Sequence, residues 1–273
     1  MVCNVECNSY CALIKMKVIK IVLLSLLSTF FYCSFAAANW STPGHDFNGG
    51  LKFEGSVTNN RNPWEWKIVG KTMVPALNGN KRDGENNWKV PIPSVTILSG
   101  KTSRTSPSGR QGLTPVIRFG RTGDENRVQW TAPGIATVTL PVYGEEQEAD
   151  GMFTFKIRVA AVMKYVTEGK AEYYSLYDDT VGNGLPDSKY IIEPNHVVGI
   201  LREIFIAEPL NWLNNDIVVS EKMSVNAFSD KKFRQVDGAY GAQIVQDSGQ
   251  LSFSSDAVPA KWRVTLPISI EYQ

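Results

Sequence analysis

Apolar and polar residues alternate with a period close to two along most of the chain, and this rhythm limits the folds available to it. The longest clean run contains Phe153, Phe155, Ile157, Val159 and Ala161. Such alternation is typical of half-buried β-strands, whose successive side chains point to opposite faces of a sheet. Turn-forming clusters such as residues 78–80 and 106–109 separate the runs. The pattern predicts an all-β fold, an antiparallel sandwich.

Shorter segments follow the same rhythm. Their apolar residues are Leu51, Phe53 and Val57, then Trp64, Trp66 and Ile68, then Val90, Ile92, Val95 and Ile97, then Val116, Ile117 and Phe119, and finally Ile135, Val138, Leu140 and Val142. Pro91 and Pro93 interrupt the third run, because proline has no N–H to donate to a sheet. We predict one sandwich domain over residues 51–273.

A helical spacing interrupts this rhythm between about residues 170 and 215. Its apolar positions suit one face of a helix and are Val197, Val198, Leu201, Ile204 and Phe205. Asn195 is a plausible N-cap, and Pro209 would end the helix. We predict a small, partly helical insertion here, with one or two short helices that pack against the sandwich rather than bind a partner.

The first 38 residues have the composition of an export signal. Lys17 and Lys20 precede an almost wholly apolar stretch over residues 21–31, and three alanines at 36–38 suit a signal peptidase. Met16 directly precedes the basic residues and is the expected start of translation. A retained membrane anchor is the alternative, but no basic cluster follows the apolar stretch to stop transfer. We predict residues 1–38 as a cleaved signal peptide.

The signal peptide contains all four cysteines, so the mature chain has no thiol and no disulfide. Its removal also takes away three lysines and one glutamate, which changes the formal charge from +1 to −1. So small a charge does not favour nucleic acid or an anionic membrane as a partner. An exported domain without disulfides must be stabilised by its hydrophobic core.

Residues suited to catalysis or metal binding are few. The mature chain has two histidines, His45 and His196, without a short metal-ligand spacing or a Gly-x-Ser-x-Gly motif. Residues 178–187 carry oxygen donors like those of a calcium loop, but Val181 occupies a ligand position, so a plain surface turn is favoured. We predict no enzymatic activity, no catalytic residue, no cofactor and no metal site.

Three clustered tyrosines are a candidate glycan contact, since aromatic rings can stack on the apolar face of a sugar. They are Tyr173, Tyr174 and Tyr177. The favoured alternative is that they are strand-edge residues with hydrated hydroxyls.

The two ends of the mature chain complement each other. Residues 262–273 alternate without a break and place on one face Val264, Leu266, Ile268, Ile270 and Tyr272. The last strand of a chain has no later segment to pair with, so an earlier strand or another molecule must cover its edge. Residues 39–50 are too polar for a core strand, yet they contain Trp40 and Phe47. Such an extension could fill the groove of a neighbouring copy that lacks a strand, and repetition would build a fibre.

Short motifs at both ends resemble the K88-type fimbrial subunits of enterotoxigenic Escherichia coli. They are residues 46–49 (Asp-Phe-Asn-Gly), 55–58 (Gly-Ser-Val-Thr), 64–67 (Trp-Glu-Trp-Lys) and the ending 262–272. The resemblance implies an incomplete immunoglobulin-like sandwich that is completed by donor-strand exchange. Residues 39–50, with Trp40, Phe47, Asn48 and Gly49, would then be the donor extension. The alternating residues from Val264 to Tyr272 would pair first with a periplasmic chaperone and later with a neighbour's extension.

The resemblance also implies an outer-membrane usher, export through the periplasm to the cell surface, and a place in a fimbrium that contributes to adhesion to host cells. Residues 170–215 do not resemble the glycan-binding insertion of the family's major subunit, so we predict a minor structural subunit. Two alternatives stay open. One is a glycan-binding fimbrial adhesin, and the other is a free-standing secreted β-sandwich hydrolase.

Overall fold

The computed structural model describes residues 62–68, 86–120, 127–144, 148–214, 216–254, 259 and 261–273. Within these ranges the chain forms thirteen strands, one α-helix and a 3-10 helix over Val225–Ser229. The strands are β1 Trp64–Lys67, β2 Asn87–Val90, β3 Thr96–Thr102, β4 Ser106–Ser108, β5 Pro115–Phe119, β6 Val128–Ala132, β7 Ile135–Tyr143, β8 Glu148–Thr167, β9 Lys170–Tyr177, β10 Glu221–Ser224, β11 Arg234–Ile244, β12 Gly249–Phe253 and β13 Ile268–Tyr272. The α-helix, α1, spans Pro194–Ile204. The run predicted at Leu51, Phe53 and Val57 lies outside the described residues.

The larger sheet is built around β8, which is 20 residues long. One edge of β8 pairs with β12 and then with β11, and the other edge pairs with β7 and then with β9, all antiparallel. Further outward lie β2, β3 and β1 on the first side and β6 and β10 on the second, while β4 pairs with the start of β11. The predicted run from Phe153 to Ala161 lies within β8, so the longest period-two signal marks the central strand.

The two faces of β8 bury different sets of side chains. Odd-numbered residues such as Phe153 and Met163 belong to the main core, whereas Ala160 and Val162 belong to a second cluster formed with α1. Burial alternates over residues 151–158 of β8 and becomes continuous at residues 159–163, because there α1 covers the outer face. Small residues allow this close approach: a Cβ on Gly241 of β11 would lie 2.7 Å from Ile204.

The helix lies in the connection between β9 and β10, which pair in parallel. Parallel neighbours need a crossover rather than a hairpin, and a helix is its usual form. The predicted insertion of residues 170–215 therefore begins too early, because residues 170–177 are β9 itself. The buried residues Val197, Leu201 and Ile204 pack α1 against the sandwich, as predicted.

The predicted ends of the helix need correction. Glu193, rather than Asn195, is the N-cap, and Pro194 occupies the first turn, where its missing N–H costs no hydrogen bond. The helix ends at Ile204, before Pro209 is reached. No helix in the described part of the chain is both long enough and apolar enough to cross a membrane.

The strands β5 and β13 form a separate, two-stranded antiparallel sheet. Ile117 and Phe119 of β5 are buried in the main core, and Ile268 and Ile270 of β13 pack against it. The main core therefore lies between this small sheet and the larger one. The architecture confirms the predicted all-β, immunoglobulin-like sandwich with one short helix.

Candidate functional site

In the described part of the chain, one edge of β13 is not paired with another strand. Gln273 exchanges backbone hydrogen bonds of 3.0 and 3.3 Å with Thr114, and the Gly120 N–H donates to the Pro267 carbonyl at 2.8 Å. Hydrogen-bonded positions in an antiparallel pair alternate with positions whose backbone groups point the other way. The backbone N–H and C=O groups that point away from β5 are those of Ile268, Ile270 and Tyr272. Among the described residues no strand pairs with this edge.

Apolar side chains beside the open edge are only half buried. Val264, Leu266, Ile268 and Ile270 contact the main core yet keep part of their surface exposed. Tyr272, at the end of the strand, is 38% exposed. A strand added beside β13 would cover Ile268, Ile270 and Tyr272 further and satisfy the outward backbone groups in one step. The geometry therefore suits strand addition.

Regular pairing is shorter than the unbroken alternation of residues 262–273 predicts. It is confined to Ile268–Tyr272, and upstream Arg263 forms an isolated bridge with Tyr143 at the end of β7. Pro267 accounts for the break, because it lacks the N–H that would return the hydrogen bond from Gly120. Trp262 still packs on Phe153, with ring centroids 5.3 Å apart. The segment before β13 thus covers the core without lengthening the strand.

At the opposite edge of the small sheet, β5 is contacted by Gly184, which belongs to residues 178–187; we call this segment the capping loop. The Gly184 N–H donates to the Ile117 carbonyl of β5 at 2.6 Å. The hydroxyl of Tyr240, on β11, donates to the Gly184 carbonyl at 2.9 Å. Pro115 faces the same edge by alternation and has no N–H. β5 therefore offers fewer free backbone groups than β13.

Polar residues hold the capping loop in shape. The buried carboxylate of Asp178 accepts a hydrogen bond from the Thr180 N–H at 2.8 Å and another from the Asn183 side-chain amide. The Asn183 side-chain oxygen accepts from the Leu185 N–H at 3.2 Å. The oxygens considered for calcium thus serve the loop itself, and no cluster of three or more metal-ligating side chains occurs in the described ranges. Because Asn183 and Leu185 are buried, the loop is not the plain surface turn favoured by the sequence.

The final strand also contacts β1 through Tyr272. The Trp66 indole N–H donates to the Tyr272 hydroxyl at 2.8 Å. Partial burial raises the pKa of the Tyr272 hydroxyl, and the hydrogen bond from Trp66 opposes that rise. Trp66 in turn packs against Tyr240, with ring centroids 5.7 Å apart. The second tryptophan of the Trp-Glu-Trp-Lys motif therefore supports the end of β13.

The three tyrosines considered for glycan contact lie on β9 but do not share one face. Tyr174 stacks on Tyr165 on the main-core side, at 5.5 Å between ring centroids. Tyr173 stacks on Trp212 on the side of the second cluster, at 6.5 Å. Tyr177 has the same parity as Tyr173 along the strand. The three rings therefore do not form a common platform, and a glycan contact stays a prediction.

Several predicted residues cannot be placed. Trp40, Phe47, Asn48 and Gly49 of the predicted extension, together with His45, lie outside the described residues. His196 is exposed on α1.

Sequence reasoning missed the contact between the capping loop and β5. The Asn183-Gly184 dipeptide signalled a turn, but its docking on Ile117 depends on a long-range contact that no local pattern encodes.

Comparison with known proteins extends the resemblance to nearly the whole chain. A family model described as "Fimbrial, major and minor subunit" matches residues 16–273. The K88 minor fimbrial subunit FaeI of Escherichia coli is 43% identical over 236 residues, which cover 86% of this chain and 92% of that protein.

Proposed function

Because the chain belongs to the K88 family of major and minor fimbrial subunits, we propose that it is a minor subunit that joins its neighbours through the open edge of β13. Family membership makes it a structural component of a surface fimbrium, with other fimbrial subunits as partners. Similarity to the E. coli minor subunit supports the minor role. The mode of joining is supported by one observation, the row of outward backbone groups on β13 beside half-buried apolar side chains.

The strand that fills this edge is residues 39–50 of a neighbouring subunit, including Trp40, Phe47, Asn48 and Gly49. Backbone hydrogen bonds to β13 would provide affinity, and side chains at alternate positions would enter the half-covered core. Burial of one large apolar side chain, such as that of Trp40 or Phe47, contributes about 1.5–3 kcal/mol before ordering costs. The contact is head to tail, so its repetition extends a fibre.

A periplasmic chaperone covers the same edge before assembly, and an outer-membrane usher replaces the chaperone with the extension. This step is needed because an open strand edge beside half-buried apolar side chains promotes aggregation. Residues 1–38, as a cleaved signal peptide, would direct the chain into the periplasm. Ile268, Ile270 and Tyr272 of β13 would contact both partners in turn, and the predicted residues Val264 and Leu266 would flank that contact.

Deletion of residues 39–50 tests the proposal. The intact and shortened chains are each co-expressed with the chaperone and usher, and both the periplasmic complex and the fibres are isolated. The shortened chain retains β13, so it is expected in the chaperone complex. It has nothing to insert into its neighbour, so it is expected to be absent from fibres. Incorporation at the wild-type level would show that the donor assignment is wrong.

A synthetic peptide of residues 39–50 provides the complementary test, since it should displace the chaperone from the intact subunit. The control is the same peptide with serine in place of Trp40 and Phe47. A longer peptide that ends at residue 57 adds Leu51, Phe53 and Val57, which share the parity of Phe47. If the longer peptide displaces the chaperone and the peptide of residues 39–50 does not, the donor segment extends beyond residue 50.

Glycan binding is a second candidate function, favoured by the partly exposed stack of Tyr173 on Trp212. A glycan array with the peptide-complemented subunit would test it, with Tyr173→Ala as the variant expected to lose the signal. We also expect no catalytic activity. A free-standing hydrolase would elute from gel filtration as a folded monomer without a chaperone, which would contradict the fimbrial proposal.

A further inference from the structure

We propose that the capping loop determines which edge of the small sheet accepts a donor strand: by occupying the β5 edge, it directs strand addition to β13. This inference rests on the proposed function, because it concerns the same strand-addition step. Its test therefore separates the two ideas.

One edge of the small sheet has to be blocked because the sheet has only two strands. A two-stranded sheet has two edges, and either edge can template another strand. A head-to-tail fibre needs one acceptor for each donor, because a second acceptor would branch the fibre or join subunits in the wrong orientation. A fold that exposes β5 as well as β13 would offer that second acceptor.

The contacts show how β5 is closed. By alternation, its outward backbone groups belong to Pro115, Ile117 and Phe119. Pro115 has no N–H, and the Ile117 carbonyl already accepts the Gly184 N–H at 2.6 Å. No strand among the described residues offers β13 a comparable cover. The difference between the two edges thus arises from one loop and one proline.

Gly184 is the point of closest approach. A Cβ at this position would lie 2.8 Å from a ring carbon of Phe119 and 2.9 Å from the Ile117 side chain. Its φ lies outside the left-handed region, so another residue would be unfavourable there because of space alone. A larger residue is therefore expected to push the loop away from β5 without straining its own backbone.

Three further contacts anchor the loop. The Tyr240 hydroxyl holds the Gly184 carbonyl, Leu185 is buried in the main core, and Asp178 clasps the Asn183 side chain. Val181, in contrast, is 70% exposed. The loop thus offers two variants that should loosen the cap, Gly184→Val and Asn183→Ala, and one matched control, Val181→Ala.

The test counts donor peptides on the subunit. The full chain and each variant are purified from the periplasm with the chaperone and challenged with a peptide that begins at residue 39 and carries a photo-crosslinking residue. Native mass spectrometry gives the peptides bound per subunit, and mapping of the crosslinks identifies the strand contacted. For the wild type and Val181→Ala we expect one peptide, crosslinked to β13. For Gly184→Val and Asn183→Ala we expect up to two, with additional crosslinks to β5.

The outcomes distinguish the two proposals. If the peptide fails to bind the wild-type subunit, the proposed function is wrong. If the wild type and both loop variants each bind one peptide on β13 alone, the edge-selection role is wrong and the proposed function stands. If neither loop variant can be recovered with the chaperone while Val181→Ala can, edge selection is also overturned, because the loop is then required for the fold itself.

Discussion

Two amphipathic segments, α1 and β13, place apolar faces against this sandwich, and the two faces differ in how completely they are buried. The face of α1 is completed within the chain, where Val197 and Leu201 are fully buried against β8 and β11. No segment among the described residues completes the face of β13, where Ile268 and Ile270 stay partly exposed beside an edge with outward backbone groups. Because both faces consist of ordinary aliphatic residues, composition does not distinguish them. What distinguishes the internal packing surface of α1 from the proposed assembly surface of β13 is whether the backbone beside it is already paired.

The strongest way to break this comparison is a charge on the β13 face. Ile270→Asp would place a carboxylate in the groove that the proposed donor strand seals, and burial of an unpaired charge costs several kcal/mol. Since each 1.4 kcal/mol is a factor of ten in an equilibrium constant, incorporation into fibres should fall by about tenfold or more. The periplasmic yield with the chaperone should fall as well. Quantitative immunoblots of fibre and periplasmic fractions measure both effects.

The neighbouring residue supplies the control for that experiment. Ser269 is exposed on the opposite face of β13, so Ser269→Asp adds the same charge outside the groove. Its yield and incorporation should match those of the wild type. Equal losses for the two variants would mean that charge on the strand, rather than sealing of the groove, controls assembly.

The matching change on the insertion is Leu201→Ala. Leu201 is fully buried between α1 and the sheet, so its truncation should lower the free energy of unfolding by about 2–5 kcal/mol. Denaturant unfolding of the peptide-complemented subunit measures this change. Incorporation at a permissive temperature should persist, because β13 is untouched. An assembly defect without a loss of stability would make α1, rather than β13, the assembly surface.

Tyr240 of the larger sheet is connected to β5 of the small sheet through the capping loop. Tyr240→Phe leaves the Gly184 carbonyl without its donor, and a buried unsatisfied acceptor costs about 1–3 kcal/mol at neutral pH. Burial also raises the pKa of the Tyr240 hydroxyl well above its ordinary value, which favours the neutral form in the folded state. That stabilisation is fully present below the unfolded pKa of about 10, and it is lost as pH rises from there towards the folded pKa.

The advantage of the wild type over Tyr240→Phe should therefore shrink above about pH 10, by at most ~1.4 kcal/mol per pH unit. Parallel urea titrations of both proteins between neutral and alkaline pH measure the difference. Other tyrosines and lysines titrate equally in both proteins, so they cancel in the comparison. A stability difference that stays constant across this range would mean that Tyr240 is not held neutral by its surroundings.

The sequence predicted those features that depend on local periodicity. The alternation from Phe153 to Ala161 identified β8, and the spacing of Val197 and Leu201 identified α1, because in each case one face is buried along a regular element. The family resemblance came from short motifs at the two ends. Its extension to nearly the whole chain required comparison with known proteins.

Features set by long-range contacts were not predictable in the same way. The single break at Pro267 shortened the final strand, and residues 170–177 joined the sheet although they were assigned to the partly helical insertion. The role of Gly184 depends on Ile117, Phe119 and Tyr240, which are distant in sequence. Local patterns specify which face of an element is apolar, but they do not specify which edge of a sheet stays open.

The smallest expected effect comes from the link between the two ends of the described chain. Trp66→Phe keeps a ring beside Tyr240 but removes the N–H that donates to the Tyr272 hydroxyl. This hydrogen bond is exposed and joins neutral groups, so its loss should cost no more than about 0.5–1.5 kcal/mol. Tyr272→Phe removes the same bond from the other side, and the double variant should cost little more than either single change. Additive losses in such a double-mutant cycle, followed by denaturant unfolding, would mean that Trp66 supports the final strand through its ring packing rather than through the hydrogen bond.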